Sequence, residues 1–186
     1  DLHNARELGE QLLRLAQDAR DTGLVVEAHY ALAVPLYFLG EFVCAREHLE
    51  QSIALYDPQQ HRDHAVRYGV DPGVAARSLA AWVLWELGYP DQALKRSREA
   101  LSLAEELSYP FTLAYALGLA STFLLWRREP QAVLELTDRL IPLCQEHGFS
   151  SLLTSASLVR DGALKAQGKQ EESTLKLGDR AGSQVT

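Results

Sequence analysis

The stretch "GYPDQALKRSREALSLAEEL", residues 88–107, decides the fold because a similar one, "GEFVCAREHLEQSIALYD", already stands at residues 40–57. Setting Gly40 against Gly88 pairs Ala45 with Ala93, Ser52 with Ala100, Ile53 with Leu101 and Leu55 with Leu103. Small residues then recur seven apart, two turns along one helix face, where a neighbouring helix can approach closely. A third copy follows with Ala132 in the place of Ala93 and Leu136 and Leu140 behind it. Fainter copies begin at Ala5, with Leu12 and Leu13, and at Gly168, followed by "KQEEST". The anchors at 5, 45, 93, 132 and 173 are 40, 48, 39 and 41 residues apart. A period near 40 predicts stacked helical pairs.

Turn chemistry agrees with that spacing. "DTG" at 21–23, "SYP" at 108–110 and "EHG" at 146–148 each close one helix and precede an apolar segment, while "LGEF", "LGYP" and "RREP" turn into an amphipathic one. The expected helices are 2–21, 24–39, 42–56, 72–87, 91–108, 111–127, 131–147 and 149–167, with no place for strands. The fold class is therefore all-α, with residues 1–170 as one repeat domain and 171–186 as a frayed or disordered tail.

Apolar residues make up 47% of the 186, and the net charge is −7. That length can bury a core, and the acidic balance argues against gripping phosphate backbones, so nucleic acid is not an expected partner. Cys44 and Cys144 lack metal-ligand spacing and read as reduced core thiols. The polar start "DLHNARELGE" shows no signal peptide, and the expected setting is the cytoplasm. The absence of Met anywhere suggests a segment of a longer protein. "FTLAYALGLASTFLLW", 111–126, carries no charge but is short of the roughly 20 residues of a membrane span, so it reads as a buried helix.

Gly40, Phe42, Ala45 and Ser52, like Gly88, Pro90, Ala93 and Ala100, resemble the second half of a tetratricopeptide repeat, and Ala33, Ala81 and Ala120 take the matching small position of its first helix. The resemblance covers almost the whole chain, with units longer than the usual 34 residues and Arg127 where the third expects Gly. It implies a right-handed solenoid of antiparallel helix pairs. Residues 56–101, "YDPQQHRDHAVRYGVDPGVAARSLAAWVLWELGYPDQALKRSREAL", further resemble the repeats that follow the ATPase domain in bacterial nucleotide-cyclase or regulatory fusions. That resemblance implies a sensory or protein-binding module in a signalling protein.

The chain has no GxxxxGK[ST] for cradling phosphates and no pair of metal-binding aspartates, so the expectation is not an enzyme, with no cofactor. In "HRDHAVRYGVDPG", His61, Asp63 and His64 have no fourth ligand in sequence, and no kinase Asn or DFG follows "HRD". The stretch reads as a structured connector: Arg62 and Arg67 pair with carboxylates, Gly69 and Gly73 permit turns and Pro72 opens a helix. A recognition role for His61, Arg62, His64 and Arg67 stays open, since loops that interrupt repeats gather on one face.

In repeats of this type the first helix of each pair lines the concave side. That assigns Tyr30, Val34, Tyr37 and Phe38, then Ser78, Trp82, Trp85 and Glu86, then Leu117, Ser121 and Leu124, to a groove that is aromatic and mostly uncharged. Two readings remain. These residues are core packing, or they take an amphipathic helix or extended peptide with Trp82 and Trp85 as anchors. Tyr30 and Val34 stand where a carboxylate clamp would need polar groups, so a chaperone tail is not the expected ligand. The expected function is protein interaction or regulatory scaffolding, with a protein, a peptide or a domain of the parent as partner. A homodimerisation module and a small-molecule sensor are the alternatives. Pro35 inside a helical run predicts a kink, and Asp161 at a small apolar position predicts poorer packing of the fourth pair.

Overall fold

The computed structural model describes residues 1–61 and 63–169. Among the described residues it is all-helical: α1 (Leu2–Asp18), α2 (Thr22–Phe38), α3 (Phe42–Leu55), α4 (His64–Tyr68), α5 (Pro72–Glu86), α6 (Pro90–Leu107), α7 (Pro110–Trp126), α8 (Pro130–His147) and α9 (Ser150–Ala166). The expected tail, 171–186, and Arg62 lie outside the described residues. No described helix is long and apolar enough to cross a membrane.

Each expected helix is present with small shifts at its ends, and α4 is additional. Pro90, Pro110 and Pro130 are the first residues of α6, α7 and α8. Proline fits there because the first helical N–H has no partner to lose. Apart from α4, the connectors are tight because the chain reverses through single left-handed residues. Gly40, Gly88, Arg128 and Gly168 all have positive φ, and the residue after each donates its N–H back to Leu36, Leu84, Leu124 and Leu164. This is one C-terminal cap used four times, and it satisfies carbonyls that the helix end would otherwise leave open. We call α2, α5, α7 and α9 the α2 series. The cap positions are 48, 40 and 40 residues apart, so the underlying period is 40 with one insertion.

The caps correct the register of the third copy by one residue. Arg128, not Arg127, takes the place of Gly40 and Gly88. Val133, not Ala132, takes the place of Ala45 and Ala93: Ala45, Ala93 and Val133 are each fully buried and donate to Glu41, Tyr89 and Glu129. In the α2 series the matching small position is Ala33, Ala81, Ser121 and Asp161, all buried, so Ser121 and not Ala120 is the counterpart. Counting from the caps also aligns Ala28, Ala76, Ala116 and Ala156, four buried alanines in one place of four helices.

The chain divides into two compact units, Asp1–Leu119 and Ala120 onward. In the first, α1 packs on α2, α2 on α3, α3 on α5 and α5 on α6. Leu32, Ala33, Leu36, Ala45, Leu49, Ala76, Leu79, Ala80 and Val83 form its central cluster. Helix α5 is buried on nearly every side, which its alanines allow by letting neighbours approach. Between α1 and α2 the approach is closer still, since a Cβ on Gly9 would lie 3.1 Å from the Cα of Leu32. Helix α2 continues through Pro35 to Phe38.

In the second unit α8 packs on α9. Gly162 makes room for Leu125, and Arg160 pairs with Asp138 while its guanidinium also reaches the Thr137 hydroxyl at 3.3 Å. Of the two cysteines, Cys144 is buried as expected, but Cys44 is exposed, because it lines an open cleft shared with α1 and α2.

Candidate functional site

The aromatic residues expected to line a groove divide by depth. Ser78, Leu117 and Ser121 are buried and belong to packing. For Leu117 and Ser121 the assignment to a surface follows from the same slip of register, since Gly118 and Thr122 are, counted from the caps, the counterparts of Ser78 and Trp82; Ser78 is in register and buried all the same. The Ser78 hydroxyl is buried without a hydrogen-bond partner, a position that costs its desolvation without return.

Tyr30 closes part of the face rather than opening it. Its hydroxyl meets that of Tyr115 at 2.9 Å, joining α2 to α7, and burial holds both phenols above their ordinary pKa. Trp82 donates its indole N–H to the Leu119 carbonyl at 3.0 Å, joining α5 to α7. Val34 packs against the central cluster. Leu124 is half-buried at the cap of α7.

What stays accessible is a ledge at the C-terminal end of α2. Tyr37 stands 5.9 Å from Trp82, 5.7 Å from Phe42 and 5.2 Å from Phe38, ring centre to ring centre. Phe38 is 60% exposed, as is Val43 at the start of α3. Trp85 is half-buried and Glu86 exposed, and Glu86 adds to burial in raising the Tyr37 pKa. Phe42 belongs to this ledge although it sits on the other helix. It reaches Tyr37 from beyond the tight cap at Gly40, so helix-face counting along α2 misses it.

The insertion between α3 and α5 is a folded strap held by polar contacts. Tyr56 donates to the Asp71 carboxylate at 2.9 Å, Asp71 caps α5 by accepting from Val74 N–H, and the Asp71 N–H donates to Thr112 Oγ1. The ring of Tyr56 lies on Gly73, where a Cβ would come within 2.4 Å of it. Gly73 is therefore needed for this close approach inside α5, while Gly69, at φ +89, makes a turn. Burial raises the Asp71 pKa against the hydrogen bonds that lower it.

On the other side of the strap, His64 Nδ1 meets Glu27 Oε1 at 2.8 Å, and the His64 ring occupies space that Gly23 leaves. Burial raises the Glu27 pKa, opposed by His64. His61 is buried, accepts the Asp57 N–H at Nδ1 and lies 5.2 Å from His64. Burial, then His64, lowers its pKa. Of the expected recognition residues, then, His61 and His64 hold the strap down and Arg67 faces solvent. The strap's own exposed apolar residues are Val66 and Tyr68. Helix α4 presents them, and a five-residue helix is too short for hydrophobic periodicity to reveal.

A second histidine pair joins α2 to α3, with His29 and His48 sharing a hydrogen bond between their Nδ1 atoms at 2.9 Å. Burial lowers the pKa of both. His48 and Cys44 line a surface cleft of about 270 Å3 with Arg6, Glu10 and Arg14. Among the described residues no group of three or more His, Cys, Asp or Glu side chains is placed to hold a metal ion. No protein-family model matches the chain, and no curated protein matches it.

Proposed function

We propose that the chain is a non-enzymatic protein-interaction module, a tetratricopeptide-like, right-handed array of antiparallel helix pairs that serves a larger regulatory protein as a scaffold. The repeated cap at Gly40, Gly88, Arg128 and Gly168 supports the array, since one reversal geometry repeated at one period stacks successive hairpins alike. The binding surface is the ledge of Tyr37, Phe38, Phe42 and Trp82, with Trp85 one turn further along α5. The partner is an amphipathic helix or an extended peptide carrying one or two large apolar anchors. Exposed Phe38 is the observation that carries this reading: its ring already has an edge-on neighbour in Tyr37, so an incoming side chain meets a preformed wall.

Tyr30 and Tyr115 support a division of labour on the same side of the molecule. Their hydroxyl contact stiffens the α2 to α7 span, and the rim at Phe38 does the binding. A displayed library of 16-residue random peptides tests this. Selection on the chain should enrich sequences with one or two large apolar residues, and Phe38→Ala should abolish their capture. Enriched peptides that bind the variant equally well, or no enrichment at all, would refute the ledge as the site.

A further inference from the structure

Helix α1 carries a second contact face that no described residue covers, and its kinship with α6 and α8 says what shape belongs there. Each of the three ends on a left-handed residue, Arg20, Ser108 and Gly148. Four residues before it stand Ala16, Ala104 and Cys144, whose carbonyls accept from Asp21, Ser108 and Phe149 respectively. Aligned on those ends, Ala5, Gly9, Leu12 and Ala16 of α1 match Ala93, Ser97, Ala100 and Ala104 of α6, and Val133, Thr137, Leu140 and Cys144 of α8. All eight residues in α6 and α8 are buried. In α1 only Gly9 and Ala16, which face α2, are buried.

The rest of that face lies open. Ala5, Leu8, Leu12, Leu15 and Ala19 follow at alternating three- and four-residue steps, the spacing of a helix-packing seam. Leu8 is 63% exposed, Leu12 39% and Leu15 66%. The only polar neighbours along the outer edge of this seam are Asn4, Gln11 and Asp18, so little charge must be desolvated to cover it.

We propose that this seam seats one further helix, antiparallel to α1 and supplied by a partner polypeptide, with a contact face rich in small residues, as α5 is rich in buried alanines. The argument is continuity with an interface already built. Helix α5 packs on α6, and through Val74 and Ala116 it also meets α7. A helix in the same place on α1 would meet α2 as well, so it gains two neighbours for one docking. A second copy of α1 fits less well. In a second copy α1 is already packed on its own α2, so it offers its seam alone and no free face for the α2 of its neighbour.

The test uses the molecule's own α5 as probe. Placing residues 71–88 directly ahead of Asp1 gives the added helix the register that α5 has on α6, because Asp1 then stands where Tyr89 does. Hydrogen exchange in α1 should slow at least tenfold, and Leu12→Glu, which changes an exposed side chain, should cancel the gain. In parallel, a peptide of residues 71–88 added to the unextended, methyl-labelled chain should shift the Leu8, Leu12 and Leu15 resonances saturably. No slowing and no shifts would overturn the proposal. So would a dimer of the unextended chain that Leu12→Glu dissociates, since the occupant would then be a second copy.

Discussion

The chain passes into the next helix of the α2 series in two ways within the first unit. Between α6 and α7 two residues suffice, Ser108 in the left-handed conformation and Tyr109, before Pro110 resumes the helix. Between α3 and α5 the strap from Tyr56 to Asp71 does the same work with a short helix, three histidine or tyrosine contacts and a buried carboxylate. The receiving helices record the difference. Counted from the caps, Gly73 of α5 corresponds to Leu113 of α7, and Leu113 packs on Val74, Ala104 and Ala116. An apolar side chain seats the short connection, whereas the strap lays the Tyr56 ring across the backbone, and only glycine leaves room for it. An insertion in a repeat is thus accommodated by changing a residue in the helix that receives it.

That contrast can be broken most sharply at Gly73. Gly73→Val should lower stability by about 1–3 kcal/mol, the range for overpacking, because its side chain displaces the Tyr56 ring and with it the bond to Asp71. Urea unfolding measures this, and a loss under about 0.5 kcal/mol would mean that the ring moves aside without cost. Next in size is His64→Ala, which leaves Glu27 half-buried without its partner. Exchange at residues 57–70 should speed up roughly tenfold, corresponding to about 1.4 kcal/mol of local opening, while α6 and α7 remain unchanged.

The buried histidines of the strap and of the α2–α3 contact then make the fold sensitive to acid. His29, His48 and His61 have folded-state pKa values below the ordinary value of about 6.5. The unfolded chain therefore takes up protons first, and their contribution is intact above about pH 6.5 and lost as pH falls through the lowered values. Glu27 and Asp71, with raised values, act in the opposite direction nearer the carboxylate range. Thermal midpoints should drop from pH 7.5 to 5.5, and His48→Gln should flatten the slope. An unchanged midpoint in the native chain would contradict the burial of these rings.

The smallest effect is expected at the caps. Arg128 holds a left-handed conformation that Gly40, Gly88 and Gly168 adopt without a Cβ, so Arg128→Gly should gain about 0.5–1 kcal/mol. A loss would show that the arginine side chain compensates there.

Much of this helical order is legible in the residues. Glycines and small residues recur near a period of 40 because the same cap and the same close approaches recur. The third copy misleads by one residue, since an arginine occupies the left-handed cap position and a valine the buried anchor, and neither is small. The ledge is only partly visible, because Phe42 joins Tyr37 across a turn and not along a helix face. The strap's contacts bridge Glu27 to His64 and Asp71 to Thr112, and pairings that distant carry no local signature. For α1, sequence period shows the helix but not that half of its apolar face lacks a neighbour among the described residues. Only the burial of α6 and α8 reveals that.

The most direct test of an interaction module with an accessible ledge is the molar mass by light scattering across a dilution series, for the native chain and Phe38→Ala. The account predicts 20.7 kDa for both at every concentration, leaving the ledge available to a different partner. A native dimer that Phe38→Ala dissociates would contradict it, because the ledge would then be consumed by a second copy of the same chain.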